Sequence, residues 1–230
     1  MSGFWCIVPA AGQGTRFGGT TPKQHLVVRG RSLLEHTLDA LMGHPDIAGV
    51  VVALAPGVDR TWPALHGKPV VTVVGGATRA ISVRAGLDAI AGVDTHAPVL
   101  VHDAARPNIV HADLDRLIAA GRGGADGALL AAPVRDTLKR ADADGRSLGT
   151  QDRAGLWRAL TPQMFPRDVL ARALDAAAAA GIDVTDEAMA MERLGHRPVL
   201  VEGREDNLKI TTPADLAWFE WALQQRERQG

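Results

Sequence analysis

Short apolar runs rich in β-branched residues alternate along this chain with segments of helical periodicity, and that alternation narrows the fold more than any other feature. The runs fall at 5–8, 50–55, 70–74, 99–102, 128–132 and 199–201. Helical patterns lie at 33–42, 79–91, 112–120, 167–180, 186–194 and from 214 to about 226. Continuously apolar strands separated by helices make a mainly parallel sheet covered on both faces. The expected fold is therefore α/β, a three-layer, mostly parallel twisted sheet, whose ligands sit at the carboxyl ends of the strands. Helix starts are marked by Ser32 three residues before Glu35, by Thr212 before Pro213, and by Thr185-Asp186-Glu187, read as an N-cap with acids in the first turn.

The alternation breaks once. From Pro133 to Trp157 the chain turns polar and charged, with Asp144-Gly145 placed for a hairpin turn. A stretch of about 25 residues is too long for an idle connector in a compact domain. Val134 to Leu138 has strand character, so the segment reads as a projecting β-arm. With no internal repeat or second glycine-rich fingerprint, residues 1–230 are expected to form one domain carrying an arm at about 133–157.

The formal charge of -1 excludes binding that depends on a large basic excess, so neither nucleic acid nor a membrane surface is an expected partner. No run approaches the roughly 18 apolar residues that span a bilayer. The single cysteine, Cys6, lies inside the first apolar run and fits a reducing compartment, so a cytoplasmic protein is expected.

The first strand runs directly into Pro9-Ala10-Ala11-Gly12-Gln13-Gly14-Thr15-Arg16-Phe17-Gly18-Gly19-Thr20-Thr21-Pro22-Lys23-Gln24. Glycines at 12, 14, 18 and 19 let backbone N–H groups approach an anion, and Arg16 and Lys23 add full charge. No acid occurs before Glu35. A dinucleotide fingerprint needs a third glycine where Phe17 stands, an uninterrupted helix where Pro22 stands, and an acid after the second strand, which ends in Pro56-Gly57. A P-loop needs Gly-Lys-Ser or Gly-Lys-Thr, which the chain lacks. The loop suits a polyphosphate held in some other way, and a plain strand-to-loop turn is the alternative.

Two further strand ends carry chemistry. His102-Asp103-Ala104-Ala105-Arg106-Pro107 follows a buried run, and Asp103 suits a hydrated Mg²⁺ shared with phosphates; an ion pair between Asp103 and Arg106 accounts for the segment equally well. Gly75-Gly76-Ala77-Thr78-Arg79-Ala80-Ile81-Ser82 permits close approach of a flat base or ribose, with Arg79 and Ser82 on one side of the next helix. Near the end, Asn207-Leu208-Lys209-Ile210-Thr211 places a lysine in a short extended run.

Taken together, these motifs, with Pro133-Val134-Arg135-Asp136-Thr137, Ala159-Leu160-Thr161-Pro162-Gln163 and Thr185-Asp186-Glu187, resemble the 2-C-methyl-D-erythritol 4-phosphate cytidylyltransferase family, in register from about Trp5 to Trp218. The resemblance implies a sheet of nucleotidyltransferase type and a homodimer with arm exchange. It implies CTP and methylerythritol phosphate as substrates, with Mg²⁺ or another divalent cation as cofactor. The products would be 4-diphosphocytidyl-2-C-methyl-D-erythritol and pyrophosphate, in non-mevalonate isoprenoid synthesis.

By the same resemblance, Arg16 and Lys23 would be catalytic, stabilising charge on the triphosphate. Pro9, Ala10, Ala11, Gly12, Gly14, Gly76, Arg79, Ser82, Asp103 and Ala104 would form the nucleotide site, with Asp103 also beside the metal. Arg106, Thr137, Arg153, Thr161 and Lys209 would position the acceptor, Thr137 and Arg153 reaching over from a second subunit. Ala77 departs where relatives carry an acid, and His25 where an aromatic ring is usual. A ribitol 5-phosphate cytidylyltransferase and a non-catalytic nucleotide-binding module remain the alternatives.

Overall fold

Two interleaved sets of apolar side chains on one sheet organise the molecule, whose computed structural model describes residues 3–12, 22–92 and 97–228. The sheet has seven strands in the spatial order β11-β7-β10-β6-β1-β4-β5. These are β1 (Phe4–Ala10), β4 (Ile47–Leu54), β5 (Val70–Val74), β6 (Pro98–Val101), β7 (Ala128–Pro133), β10 (Trp157–Pro166) and β11 (Val199–Glu202). Two minor ribbons complete the β structure: β2 (Val27–Val28) with β3 (Arg31–Ser32), and β8 (Leu138–Ala141) with β9 (Ser147–Gln151).

Side chains alternate across a strand, so Cys6, Val8 and Ala10 of β1 face one way and Ile7 the other. The first set packs under α1 (Leu33–Met42) and α3 (His111–Gly121) through Leu34, Leu38, Leu41, Leu114 and Leu117. Ile7 joins Val83 and Leu87 of α2 (Arg79–Ala89), Leu170 and Leu174 of α4 (Arg167–Ala179), and Met191 of α5 (Glu187–Arg193). Each such side chain, once fully buried, contributes about 1.5–3 kcal/mol, so both helical layers are held by the sheet rather than by their own propensity. The last helix, α6 (Pro213–Glu227), seats Phe219 in a separate cluster with Val28, Leu33 and Ile210. The expected three-layer α/β architecture is present.

Local signals also hold. Ser32 closes a capping box, its Oγ accepting from the Glu35 N–H at 3.3 Å while its own N–H donates to Glu35 Oε2 at 2.7 Å. Thr212 does the same with Asp215 at 3.2 and 2.8 Å. The arm is an exposed β8-β9 hairpin turned at Gly145, and at its base the Val134 N–H donates to the Leu156 carbonyl at 3.0 Å.

One strand escaped the sequence pattern. β10 carries Arg158, Thr161, Pro162, Gln163 and Pro166, so it has no continuous apolar run, yet it lies near the sheet centre, antiparallel to both β6 and β7. Its pairing with β7 is interrupted between Ala159 and Gln163, around Pro162, which has no N–H to give to a ladder.

Two glycines with left-handed backbone separate strain from packing. Gly127, at φ 73° before β7, would bring an added Cβ to 2.2 Å from Phe165 Cδ1 and 2.5 Å from the Met164 carbonyl oxygen. Gly145, at φ 78° on the arm tip, would meet nothing within 4 Å. Gly145→Ala is expected to cost about 1 kcal/mol from backbone conformation alone. Gly127→Ala should cost about 3 kcal/mol or more, because overpacking adds to that strain. Urea unfolding of the two variants measures the difference.

Candidate active site

Five chain segments meet at the carboxyl edge of β1, β5 and β6 around a cleft of about 300 Å³. The first wall is the turn from Pro9 to Gly12. Gln24, buried in a one-turn 3-10 helix over Lys23–His25, donates from Nε2 to the Ala10 and Gly12 carbonyls, both at 2.9 Å. Those carbonyls end a strand, and the amide satisfies both while holding Lys23 at the cleft wall. Gly14 and Arg16 lie outside the described residues.

The second wall joins β5 to α2. The Gly75 N–H donates to the Leu54 carbonyl at 2.7 Å, and the Gly76 N–H donates to Ser82 Oγ at 3.1 Å. Ser82 Oγ in turn donates to the Thr78 carbonyl at 3.0 Å. A Cβ at Gly76 would lie 2.1 Å from Ile81 Cγ2, so only glycine fits this approach to the cleft. Ser82, at 2% exposure, shapes that backbone from beneath, and Ala77 also lines the cleft.

The floor follows β6 and is dominated by charge. Arg79, first residue of α2, donates from Nε to Asp103 Oδ1 at 3.1 Å; Lys209 Nζ stands 2.8 Å from Asp103 Oδ2, and Arg106 Nε 3.6 Å from the same oxygen. Burial pushes the Asp103 carboxyl up, but Arg79, Lys209 and Arg106 outweigh it and hold the group well below the usual carboxylate range. Arg79 reaches a second carboxylate through Nη1, that of Glu187, which is 1% exposed. Lys209 arrives because its segment is strapped down: the Ile210 N–H donates to the Ala105 carbonyl at 2.8 Å and Arg106 Nη1 to the Asn207 carbonyl at 2.7 Å. Asp103 thus forms the pair with Arg106 that the sequence allowed, and it also presents a carboxylate to the cleft.

Thr161 and His102 support this floor from below. His102 Nε2 lies 2.9 Å from the Arg106 carbonyl, which only accepts, so that nitrogen carries the hydrogen. Nδ1 then accepts from Thr161 Oγ1 at 3.1 Å, and the Thr161 oxygen accepts from the Asp103 N–H at 3.0 Å. Thr161, 4% exposed, thus fixes the Asp103 backbone instead of facing the cleft. Arg106 is likewise buried beneath it. Thr137 and Arg153 are exposed on the arm, where Arg153 Nη1 donates to the Arg135 carbonyl, and neither lines the cleft of its own chain. Pro9, Ala10, Ala11, Gly12, Gly76, Arg79, Ser82, Asp103, Ala104, Lys23 and Lys209 all do. Glu187 was read from sequence as a helix-start acid, and its ion pair with Arg79 spans 108 positions that no local pattern connects.

Burial holds His102 neutral, its pKa lowered from 6.5 to about 4. The unfolded chain protonates it near 6.5, so between those values the unfolded state binds more protons and stability falls as pH drops. The loss should be complete below pH 4 and on the order of 3 kcal/mol. Urea unfolding at pH 7 and about pH 4.5 should show a smaller acid loss for His102→Gln than for the native chain; equal losses would contradict a buried neutral imidazole.

Comparison with known proteins finds relatives over nearly the whole chain. The family profile for IspD, 2-C-methyl-D-erythritol 4-phosphate cytidylyltransferase, matches residues 4–225. A 2-C-methyl-D-erythritol 4-phosphate cytidylyltransferase of Xanthomonas campestris pv. campestris (strain 8004) is 64% identical over 230 residues, covering 98% of this chain and 86% of that protein. The crystal structure of the enzyme of the same name from Thermus thermophilus superimposes with a TM-score of 0.81 at 34% identity, covering 96% of this chain and 99% of that one. The Francisella tularensis structure gives 0.83 at 31% identity, with coverage of 96% and 99%. With the family profile spanning residues 4–225 and relatives of this identity and coverage, the chain belongs to the 2-C-methyl-D-erythritol 4-phosphate cytidylyltransferase (IspD) family.

Proposed function

We propose that the chain transfers CMP from CTP to 2-C-methyl-D-erythritol 4-phosphate, giving 4-diphosphocytidyl-2-C-methyl-D-erythritol and pyrophosphate in non-mevalonate isoprenoid precursor synthesis. The observation that carries this reading is the buried Asp103, ringed by Arg79, Arg106 and Lys209 on the floor of a cleft that Lys23 also lines. Cations outnumber carboxylates there, which suits a triphosphate meeting a second phosphate.

The chemistry needs no protein nucleophile. An acceptor phosphate oxygen, already ionised near neutrality, attacks the α-phosphorus of CTP in line. A new P–O bond forms as the bond from that phosphorus to the bridging oxygen breaks, and pyrophosphate departs with the electron pair. The protein's work is to position the reactants and neutralise charge. Lys23, with Arg16, stabilises the negative charge that gathers on the triphosphate. Lys209 holds the acceptor phosphate. The small side chains and backbone of Ala10, Ala11, Gly12 and Gly76 leave room for the cytidine, with Ser82 fixing the shape of that wall.

A divalent cation fits the donor set. Among the described residues no group of three or more His, Cys, Asp or Glu could hold a metal unaided. Mg²⁺ ordinarily takes one or two protein carboxylates plus substrate phosphates, and Asp103 is the carboxylate available in the cleft. When bound, Mg²⁺ would supply charge neutralisation for the triphosphate.

The same reading makes the molecule a cytoplasmic homodimer. Among the described residues no helix is long and apolar enough to cross a membrane. Thr137 and Arg153 stand on the arm, away from their own cleft, and the arm and the β11 edge expose Leu148, Leu156, Trp157 and Leu200. A groove of about 440 Å³ runs between Trp157, Met189 and Leu200. Exposed apolar surface of this kind suits a second copy whose arm completes the neighbouring site.

Pyrophosphate release, measured with each nucleoside triphosphate and either methylerythritol phosphate or ribitol 5-phosphate, tests the reaction. Signal is expected with CTP and methylerythritol phosphate; signal only with ribitol 5-phosphate, or none, would overturn it. Lys23→Ala should keep its fold and lose turnover by on the order of a hundredfold or more. Arg153→Ala should also be impaired. Mixed in equal amounts and allowed to exchange subunits, the two variants should regain about a quarter of the native sites, because each mixed dimer has one intact pair of contributions. No recovery on mixing would exclude a site shared between subunits.

A further inference from the structure

Glu187 is buried against the Arg79 guanidinium and absent from every step above, although it touches a residue that touches Asp103; burial raises its carboxyl pKa, and the Arg79 charge and hydrogen bond oppose that rise. Its helix does not need it as a cap. Asp186 already accepts the Met189 N–H at 2.9 Å through Oδ1 and the Gln163 amide at 3.0 Å through Oδ2. Packing alone does not call for a carboxylate either, since burying one is costly and an apolar side chain of similar volume would fill the space. What Glu187 does is meet Arg79 Nη1, while its other oxygen, Oε2, is buried with no hydrogen-bond partner.

Arg79 therefore stands between two carboxylates, Nε on Asp103 Oδ1 and Nη1 on Glu187. The planar guanidinium fixes the angle between them in a way an ammonium would not. Asp103 is left with its oxygens in different roles. Oδ1 is tied to an arginine held by two carboxylates, whereas Oδ2 faces Lys209 at 2.8 Å and Arg106 at 3.6 Å; the Lys209 side chain is 40% exposed against 22% for Arg79 and 11% for Arg106. Of the three cations, Lys209 is the one with room to exchange places with an incoming group.

We infer that Glu187 is a positioning residue for the metal and phosphate end of the cleft: by sharing the charge of Arg79, it keeps Asp103 oriented and negative enough to take a divalent cation at Oδ2 when Lys209 moves to phosphate. This rests on the reading of Asp103 given above. Without Glu187, Arg79 would neutralise Asp103 alone, and the local potential would shift against a cation and in favour of an anion. Cation affinity should then fall while metal-free nucleotide affinity holds or rises, which a general loosening of the fold would not produce.

The test uses Mn²⁺ as the probe, its free concentration followed by electron paramagnetic resonance on the whole chain with CTP and no acceptor. Glu187→Gln is expected to raise the Mn²⁺ Kd on the order of tenfold, the size expected for removing a unit charge across a short, poorly screened distance. CTP binding without metal should be unchanged or tighter, and Glu187→Asp, which keeps the charge, should restore most of the Mn²⁺ affinity. An unchanged Mn²⁺ Kd in folded Glu187→Gln would overturn the inference, as would equal weakening of metal-free CTP binding. If that variant does not fold, Arg79→Lys takes its place. It keeps the positive charge but cannot bridge both carboxylates, so a severalfold higher Mn²⁺ Kd supports the role and an unchanged one overturns it. Asp103→Asn separates the two layers: if it leaves Mn²⁺ binding intact, the metal reading of Asp103 fails; if it weakens binding and Glu187→Gln does not, only the role of Glu187 fails.

Discussion

A carboxylate taken out of water beside three cations is the interaction on which the functional edge of this molecule depends. Asp103 is 6% exposed, and alone such a group would sit protonated or force its loop outward. Arg79, Arg106 and Lys209 reverse that preference, and each comes from a different part of the chain. The arrangement draws the start of α2, the end of β6 and the 207–210 segment to one point. Buried ion pairs contribute modestly to net stability, because desolvation offsets attraction. Their role here is geometric: the charges are in place before any ligand arrives, which is the condition for electrostatic help to a transition state.

Beneath the charges lies a neutral scaffold that makes them rigid. The Thr161 hydroxyl joins the His102 ring to the Asp103 backbone, and Asn207 Nδ2 donates to the Thr161 carbonyl at 2.8 Å. Gln24 performs a comparable task for the first turn. In each case a buried polar side chain serves backbone groups rather than ligand, so the polar chemistry beside the cleft divides into groups that face it and groups that hold those groups still.

The sequence made the three layers, the six apolar runs and most helix boundaries legible because burial on both faces leaves an unmistakable apolar signature. It also placed the cleft, since Pro9 to Gly12, Gly76, Arg79, Asp103 and Lys209 stand at strand ends or in a recognisable motif. β10 was illegible because its polar and proline positions serve the floor of the site rather than the core. Thr161 and Arg106 were legible as site residues, but their being buried supports could not be seen, as it depends on partners at His102 and Asn207. Glu187 looked like a helix-start acid, which by position it is; its contact with Arg79 is created by the packing of α2 and α5 at one end of the sheet, a relation that spacing along the chain does not encode.

The place of β10 has a consequence for synthesis on the ribosome. Spatially it lies between β6 and β7, but in the chain it follows both. Until residues 157–166 emerge, the growing polypeptide can form a β5-β4-β1-β6 half-sheet with the edge of β6 unpaired, and β7 has neither of its neighbours. Open apolar edges of this kind invite pairing with other chains. The strand that carries Thr161 into the site is thus also the one that joins the two halves of the sheet, and the nascent chain keeps the β6 edge open until that strand has been made.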